Sequence, residues 1–278
     1  MVRAFAVAAV LSCLASLGWA QTPPAPTATP AAPVTRPAVK KPAPKAKIAR
    51  NPPVPADNGP CQIGVIPALG DQFVVQKIGL MVFGNEHTEV PVNWGFDDIA
   101  AARVRAAAPP GMAVRRLAYA KGAFELYYNP PSRLFRSARD DLTTIVRQIA
   151  ANAACDRYVV LTTFAGALPG TNQTLNGIGV LNHGTSLFSR TILFTNISVL
   201  VFDGQTFAIH KSPFGLEAAL ARMFQPKERN PLVDLDNASF PEPASEAANS
   251  AMLRDRVRAL LSENLDKTLP AYFKETPQ

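Results

Sequence analysis

The sequence has 278 residues, 47% of them hydrophobic and 18% charged, with a formal net charge of +7. A chain of this length can bury a core large enough to need neither a structural metal nor many disulfides. The charge is uneven: residues 21–60 carry a net +5 and residues 61–278 only +1, which argues against nucleic acid, since a binding domain needs Lys and Arg clustered on the folded part.

In chain order, Arg3 precedes an apolar run over residues 4–20, with Gly18 and Ala20 at the −3 and −1 positions of a cut after Ala20. This reads as a bacterial-type signal peptide that delivers the chain to the periplasm or medium. There are two alternatives. Val10-Leu11-Ser12 before Cys13 form a loose lipidation signal, and an uncut anchor is the other. The 17 residues from Ala4 to Ala20 are at the lower limit for a bilayer core of about 30 Å. Of these readings, only the two alternatives tether the protein in a membrane.

Residues 21–60 hold 12 of the 26 prolines. Proline fixes φ and removes a donor, so neither helix nor ladder propagates there. The segment is predicted to be a disordered Pro/Ala/Lys-rich linker, reaching roughly 120 Å if extended. Its Arg36, Lys40, Lys41, Lys45, Lys47 and Arg50 either keep a spacer soluble or attach it to an anionic envelope polymer or membrane surface. Attachment of that kind weakens with salt.

From Cys61 the pattern predicts strands over residues 62–68 and 73–82, joined as a hairpin by Gly70-Asp71. A helix capped by Asp97 or Asp98 follows and stops at Pro109-Pro110-Gly111. Residues 112–119 form a strand. A second helix, capped around Asp140, carries Leu142, Ile145, Val146 and Ile149 at helical spacing. Residues 158–164 are an unbroken apolar and Thr run, the signature of a buried strand. Residues 175–182 and 191–202 are further strands, the latter turning through Asp203-Gly204 into a strand at 206–210. Helices at 216–224 and 246–265 close the chain. The second of these places Met252, Leu253, Val257, Leu260, Leu261 and Leu265 near one stripe, for packing on the sheet or against a partner. The result is one α/β (α+β) domain over residues 61–278, with a mixed, partly parallel sheet, flanking helices and the order ββαβαββββαα. Its crossovers are right-handed.

Two cysteines remain after the signal, Cys61 and Cys155. Each stands just before an apolar strand. If those strands are parallel neighbours, both thiols share a sheet edge, and an oxidising compartment favours a disulfide. No Cys-x-x-Cys motif points to a redox enzyme.

Three His are present: His87, His183 and His210. Gly84-Asn85-Glu86-His87 reverses the last two residues of the metallophosphatase turn and lacks the other ligands of a two-metal site. No Gly-x-Ser-x-Gly elbow or Ser-x-x-Lys pair nominates a nucleophile. The acidic pairs Asp97-Asp98 and Asp140-Asp141 fall at helix starts, where they offset the dipole. No catalytic residue, metal ligand or cofactor is therefore assigned. The loop at 166–177, polar and Gly-rich after a strong strand, is the candidate binding element, because ligands of open α/β sheets bind at carboxyl ends of strands. Its candidate contacts are Asn172, Thr174 and Asn176, with His183 beyond.

The element order, with the run CDRYVVLTTFAG and the closing NISVLVFDGQTFAIHKS, resembles a small α/β domain of envelope proteins. Curli-secretion lipoproteins, penicillin-binding-protein activators and the N-terminal domain of Tol-system propeller proteins carry it. The likeness covers roughly residues 61–211 and implies a fold and an envelope setting, with no catalytic residues carried over. The phrases IGVIPALGDQF and VFGNEHTEVPV are similar to exported proteobacterial proteins with no assigned function. The expected function is a non-catalytic envelope module that engages another cell-envelope protein or polymer. The rival expectations are an exported hydrolase using His183 or His210 with the 166–177 loop, and a binder of soluble ligands at that loop.

Overall fold

Strand pairing divides the strands into two main sheets and a short hairpin. The computed structural model describes residues 60–79, 85–130, 137–168, 170, 171, 173–184, 189–210 and 232–273. All of these lie in one compact unit spanning 57–278. The predicted signal, nearly all of the linker and the predicted helix at 216–224 lie outside the described residues.

Sheet A runs β10-β5-β1-β4. Its central strands β1 (Cys61–Ala68) and β5 (Cys155–Thr163) are parallel, β4 (Val114–Arg116) extends the parallel set, and β10 (Ile197–Asp203) is antiparallel to β5. Sheet B runs β11-β9-β8-β2-β3. It comprises β2 (Gln72–Ile78), β3 (Glu86–Pro91), β8 (Ile178–Gly184), β9 (Ser189–Thr195) and β11 (Leu232–Leu235), with β2 and β8 parallel and the other pairs antiparallel. A short hairpin, β6 (Ala165–Ala167) with β7 (Thr174–Asn176), stands apart. The content is mixed α/β, as the sequence predicts.

Several elements differ from expectation. Strands β1 and β2 do not form a hairpin; each has both flanks taken in its own sheet, so Gly70-Asp71 turns the chain from sheet A into sheet B. The single strand expected over 191–202 is two strands broken at Asn196, where the chain passes from sheet B back to sheet A. Buried Asn196 fixes that corner: its amide donates to Gly177 O (2.8 Å), its carbonyl accepts from Phe164 N (3.1 Å) and its Nδ2 donates to Leu175 O (2.8 Å). Strands β3, β6 and β11 were not expected, and 206–210 contributes only a bridge from Ile209 to Phe202. The order ββαβαββββαα is corrected accordingly.

The helices follow their capping chemistry. α1 (Phe96–Ala107) is capped by Gly95 in the left-handed region (φ 67°), not by Asp97 or Asp98; only glycine takes that conformation without cost. α2 (Glu125–Tyr128) is a single turn. α3 (Ala138–Ala150) is capped by the Ser137 side chain, which accepts from Asp140 N, so Asp140 lies inside the first turn. α4 (Ala251–Thr268) starts at Ser250, whose hydroxyl accepts from Leu253 N, after a 3-10 turn over Ala244–Asn249. α5 (Pro270–Phe273) ends the described chain.

These helices form layers. Leu142, Ile145, Val146 and Ala150 of α3 cover the Ile66, Tyr158, Val160 and Phe202 face of sheet A. The opposite face (Ile63, Val65, Val159, Leu161) shares one core with Phe73, Val75, Val180 and Leu193 of sheet B, with α1, and with Leu253, Val257, Leu260, Leu261 and Leu265 of α4. α4 is therefore a core helix; Met252 is 39% exposed and lies off its buried stripe. The outer face of sheet B is closed by Leu168 and Leu175 of the β6–β7 hairpin. Each fully buried large side chain contributes about 1.5–3 kcal/mol.

Candidate functional site

The carboxyl ends of parallel strands β4, β1 and β5 are where an α/β sheet places its ligands. One acid and two tyrosines meet there. Asp97, in the first turn of α1, points at the chain leaving β1. Its Oδ1 accepts from Leu69 N (2.9 Å) and Gly70 N (3.4 Å). Tyr119 Oη lies 3.1 Å from Asp97 Oδ2 and donates to Pro67 O (2.6 Å). Tyr128 Oη donates to Ala68 O (2.6 Å) and accepts from Thr163 N (3.1 Å), joining the ends of β1 and β5. Phe124 packs edge-on against Tyr119 with ring centroids 5.1 Å apart.

The electrostatics follow from burial. Desolvation raises the Asp97 carboxyl above the usual carboxylate value, against the Leu69, Tyr119 and Gly70 hydrogen bonds that favour the anion. Burial also pushes the Tyr128 hydroxyl up to about 12. Burial, then the Asp97 charge, carries Tyr119 further still. Both tyrosines are thus neutral donors at physiological pH. Outside this cluster, Arg116 pairs with Asp98 at the exposed rim.

All three side chains of the cluster act on main-chain groups. They hold the β1–β2 turn, the end of β5 and the start of α1 in one frame. Two large apolar side chains are exposed near this edge, beside the charged Arg116–Asp98 rim: Phe164, directly after β5, is 46% exposed, and Leu126 of α2 is 65% exposed.

The residues singled out from the sequence do not converge. Asn172 lies outside the described residues. Thr174 and Asn176 flank buried Leu175 on β7 and face solvent. His183 is near the far end of β8, paired with Arg190 and Ile78 in sheet B, so the length of β8 separates it from Asn176. His210 donates its amide to Val201 O in sheet A (2.8 Å). The loop's own polar groups close on each other: Thr171 Oγ1 donates to Leu168 O (2.9 Å) and accepts from Gln173 N (3.1 Å). Cys61 and Cys155 are in register on adjacent parallel strands and joined by a disulfide.

Two grooves lie elsewhere. One of about 750 Å³ runs between α1 and α4, with Arg103–Asp266 (3.2 Å) and Lys267–Glu263 (2.6 Å) ion pairs at its walls. The other, about 300 Å³, lies between β2–β3 and residues 240–244. Among the described residues there is no group of three or more potential metal ligands, and no helix is long and apolar enough to cross a membrane.

Comparison with protein-family models, with curated proteins and with solved structures finds no match to this chain. The site therefore stands on its own geometry.

Sequence reasoning assigned Asp97 to the cap and dipole of α1 and passed over Tyr119 and Tyr128. The available signal was Trp94-Gly95-Phe96: a glycine placed to cap α1 leaves the following carboxylate for another task.

Proposed function

We propose that this protein is an exported, non-catalytic module of the cell envelope, borne on its Pro-rich arm and holding another envelope component. The observation that carries the reading is the division of labour at the carboxyl edge of sheet A. Acid and hydroxyl groups turn inward onto main-chain atoms, while Phe164 and Leu126 turn outward. Exposed apolar side chains beside a rigid polar frame suit a contact surface. A reaction centre needs a nucleophile, base and orienting group aimed at substrate. The buried disulfide fits an oxidising compartment, as does the export signal read from residues 1–20.

The test is binding of the purified oxidised protein to isolated envelopes by co-sedimentation. Saturable binding is expected, weakened about tenfold or more by Phe164→Asp, as for an anchor at an interface centre. The double variant His183→Ala/His210→Ala should bind as the unmodified protein does. Unchanged binding by Phe164→Asp, or its loss in the His variant, would overturn the reading.

A further inference from the structure

Cys61 is both the first residue of β1 and the first cysteine after the arm, so a pull transmitted through Pro60 enters β1 at this residue. β1 is an interior strand, flanked by β4 and β5. Held by its ladders alone, it would bear that load on its hydrogen bonds to β4 and β5. The disulfide passes the load into Cys155 of β5 as well.

Cys155 is in turn fastened from several sides. Its amide donates to Tyr158 Oη (3.2 Å). The turn after β10 folds over it: Gly204 N donates to Asp156 O (2.9 Å), and a Cβ on Gly204 would lie only 2.0 Å from the Cys155 carbonyl oxygen. Asp203 Oδ1 holds that turn by accepting from Thr206 N (2.7 Å) and Gln205 N (3.0 Å). Phe207, at φ 59°, stacks on Tyr158 with ring centroids 5.6 Å apart and planes 4° from parallel. A non-glycine residue at positive φ is held there at a cost and persists only where its surroundings demand it. Arg147 of α3 covers the same ring at 5.5 Å and donates to Thr206 O (3.3 Å). Helix α3, the β10 turn and β5 are thus tied together at the end of the domain where the arm enters. The disulfide itself is buried, with Cys61 at 6% and Cys155 at 4% exposure.

We infer that the Cys61–Cys155 bond is a mechanical anchor: it carries load from the arm into the centre of sheet A, so that the domain holds its fold while the arm is pulled. This rests on the arm-borne reading above. Its test uses purified protein, so failure of the anchor and failure of the envelope setting are seen separately.

The experiment is single-molecule pulling on the oxidised chain carrying its arm. One geometry holds the arm and the C-terminus. The other replaces the arm handle with a click handle at exposed Lys121, which bypasses Cys61. From the arm, reduction is expected to lower the unfolding force about twofold, as forced unfolding follows the unfolding rate. The chain released should also lengthen by about 340 Å, from the 94-residue separation of the two cysteines. From Lys121, reduction should leave the unfolding force unchanged. Equal forces before and after reduction, with the arm pulled, would overturn the inference. If the reduced chain does not refold, the oxidised chain decides: an unfolding force from the arm no higher than that from Lys121 overturns it.

Discussion

Replacing Cys61 and Cys155 together by alanine is expected to lower the stability of the domain by about 4–5 kcal/mol in the chain-entropy model. The bond closes a sequence separation of 94 residues, and a loop of that length retains much freedom in the unfolded chain unless it is crosslinked. For a domain of this size the loss corresponds to a drop of about 10–20 °C in Tm. Thermal unfolding followed by circular dichroism, oxidised protein against double variant, checks it. An unchanged Tm would mean that the unfolded chain is already confined without the bond. Alanine is the substitution of choice because both positions are buried, where a serine hydroxyl would add its own desolvation cost.

The second large effect is expected at Asp97. Tyr119 has one hydroxyl proton and two acceptors in reach, Pro67 O at 2.6 Å and Asp97 Oδ2 at 3.1 Å. With Asp97 ionised they compete for that proton. With Asp97 protonated, its hydroxyl donates to Tyr119 Oη and Tyr119 donates to Pro67 O, so every group is satisfied. An asparagine Nδ2 donates in the same way, while its Oδ1 still accepts from Leu69 N. Asp97→Ala is expected to cost about 1–3 kcal/mol by leaving buried donors unmet, whereas Asp97→Asn should be at least as stable as the native protein at neutral pH. The sign with pH follows from the raised folded value. Below the unfolded value, near 3.8, both states are protonated and the contribution is fully present. It is lost as pH rises through the higher folded value. The advantage of Asp97→Asn should therefore grow across that window and level off above it. Urea unfolding across a pH series reads this directly. An Asp97→Asn variant that loses as much stability as Asp97→Ala would contradict the hydrogen-bond assignment.

How far the sequence disclosed this structure depended on whether the decisive contact was local. The disulfide was legible because two apolar runs each start just after a cysteine: if the runs are parallel neighbours the thiols share a sheet edge, and β1 and β5 do pair in parallel with Cys61 opposite Cys155. α3 was legible from its spacing of Leu142, Ile145, Val146 and Ile149, although its cap, read around Asp140, lies three residues earlier at Ser137. The break at Asn196 was not legible: Phe194-Thr195-Asn196-Ile197-Ser198 has no glycine or proline, and only the long-range bonds to Phe164, Leu175 and Gly177 impose the corner. Gly70-Asp71 was correctly seen as a turn, but a turn does not state which sheet the next strand joins. β3 was missed because its burial pattern is that of an exposed edge, with only Val90 buried.

The candidate site was hidden for the same reason. Asp97, Tyr119 and Tyr128 are spread along the chain and meet only because β1, β4 and β5 end at one edge. A Gly-rich loop draws attention in a sequence, but here its leucines plug the outer face of sheet B, Thr171 closes on the loop's own main chain, and Thr174 and Asn176 face solvent.

The account turns on an exported, oxidised chain, and the intact mass of the protein recovered from native envelope fractions tests that claim most directly. A chain beginning at Gln21 and lighter by two hydrogens for the Cys61–Cys155 bond is the result predicted. A lipid on Cys13 or a retained N-terminus with the disulfide intact would keep the export and fix the arm to the membrane. A full-length chain with reduced Cys61 and Cys155, recovered with the cytoplasm, would contradict the account.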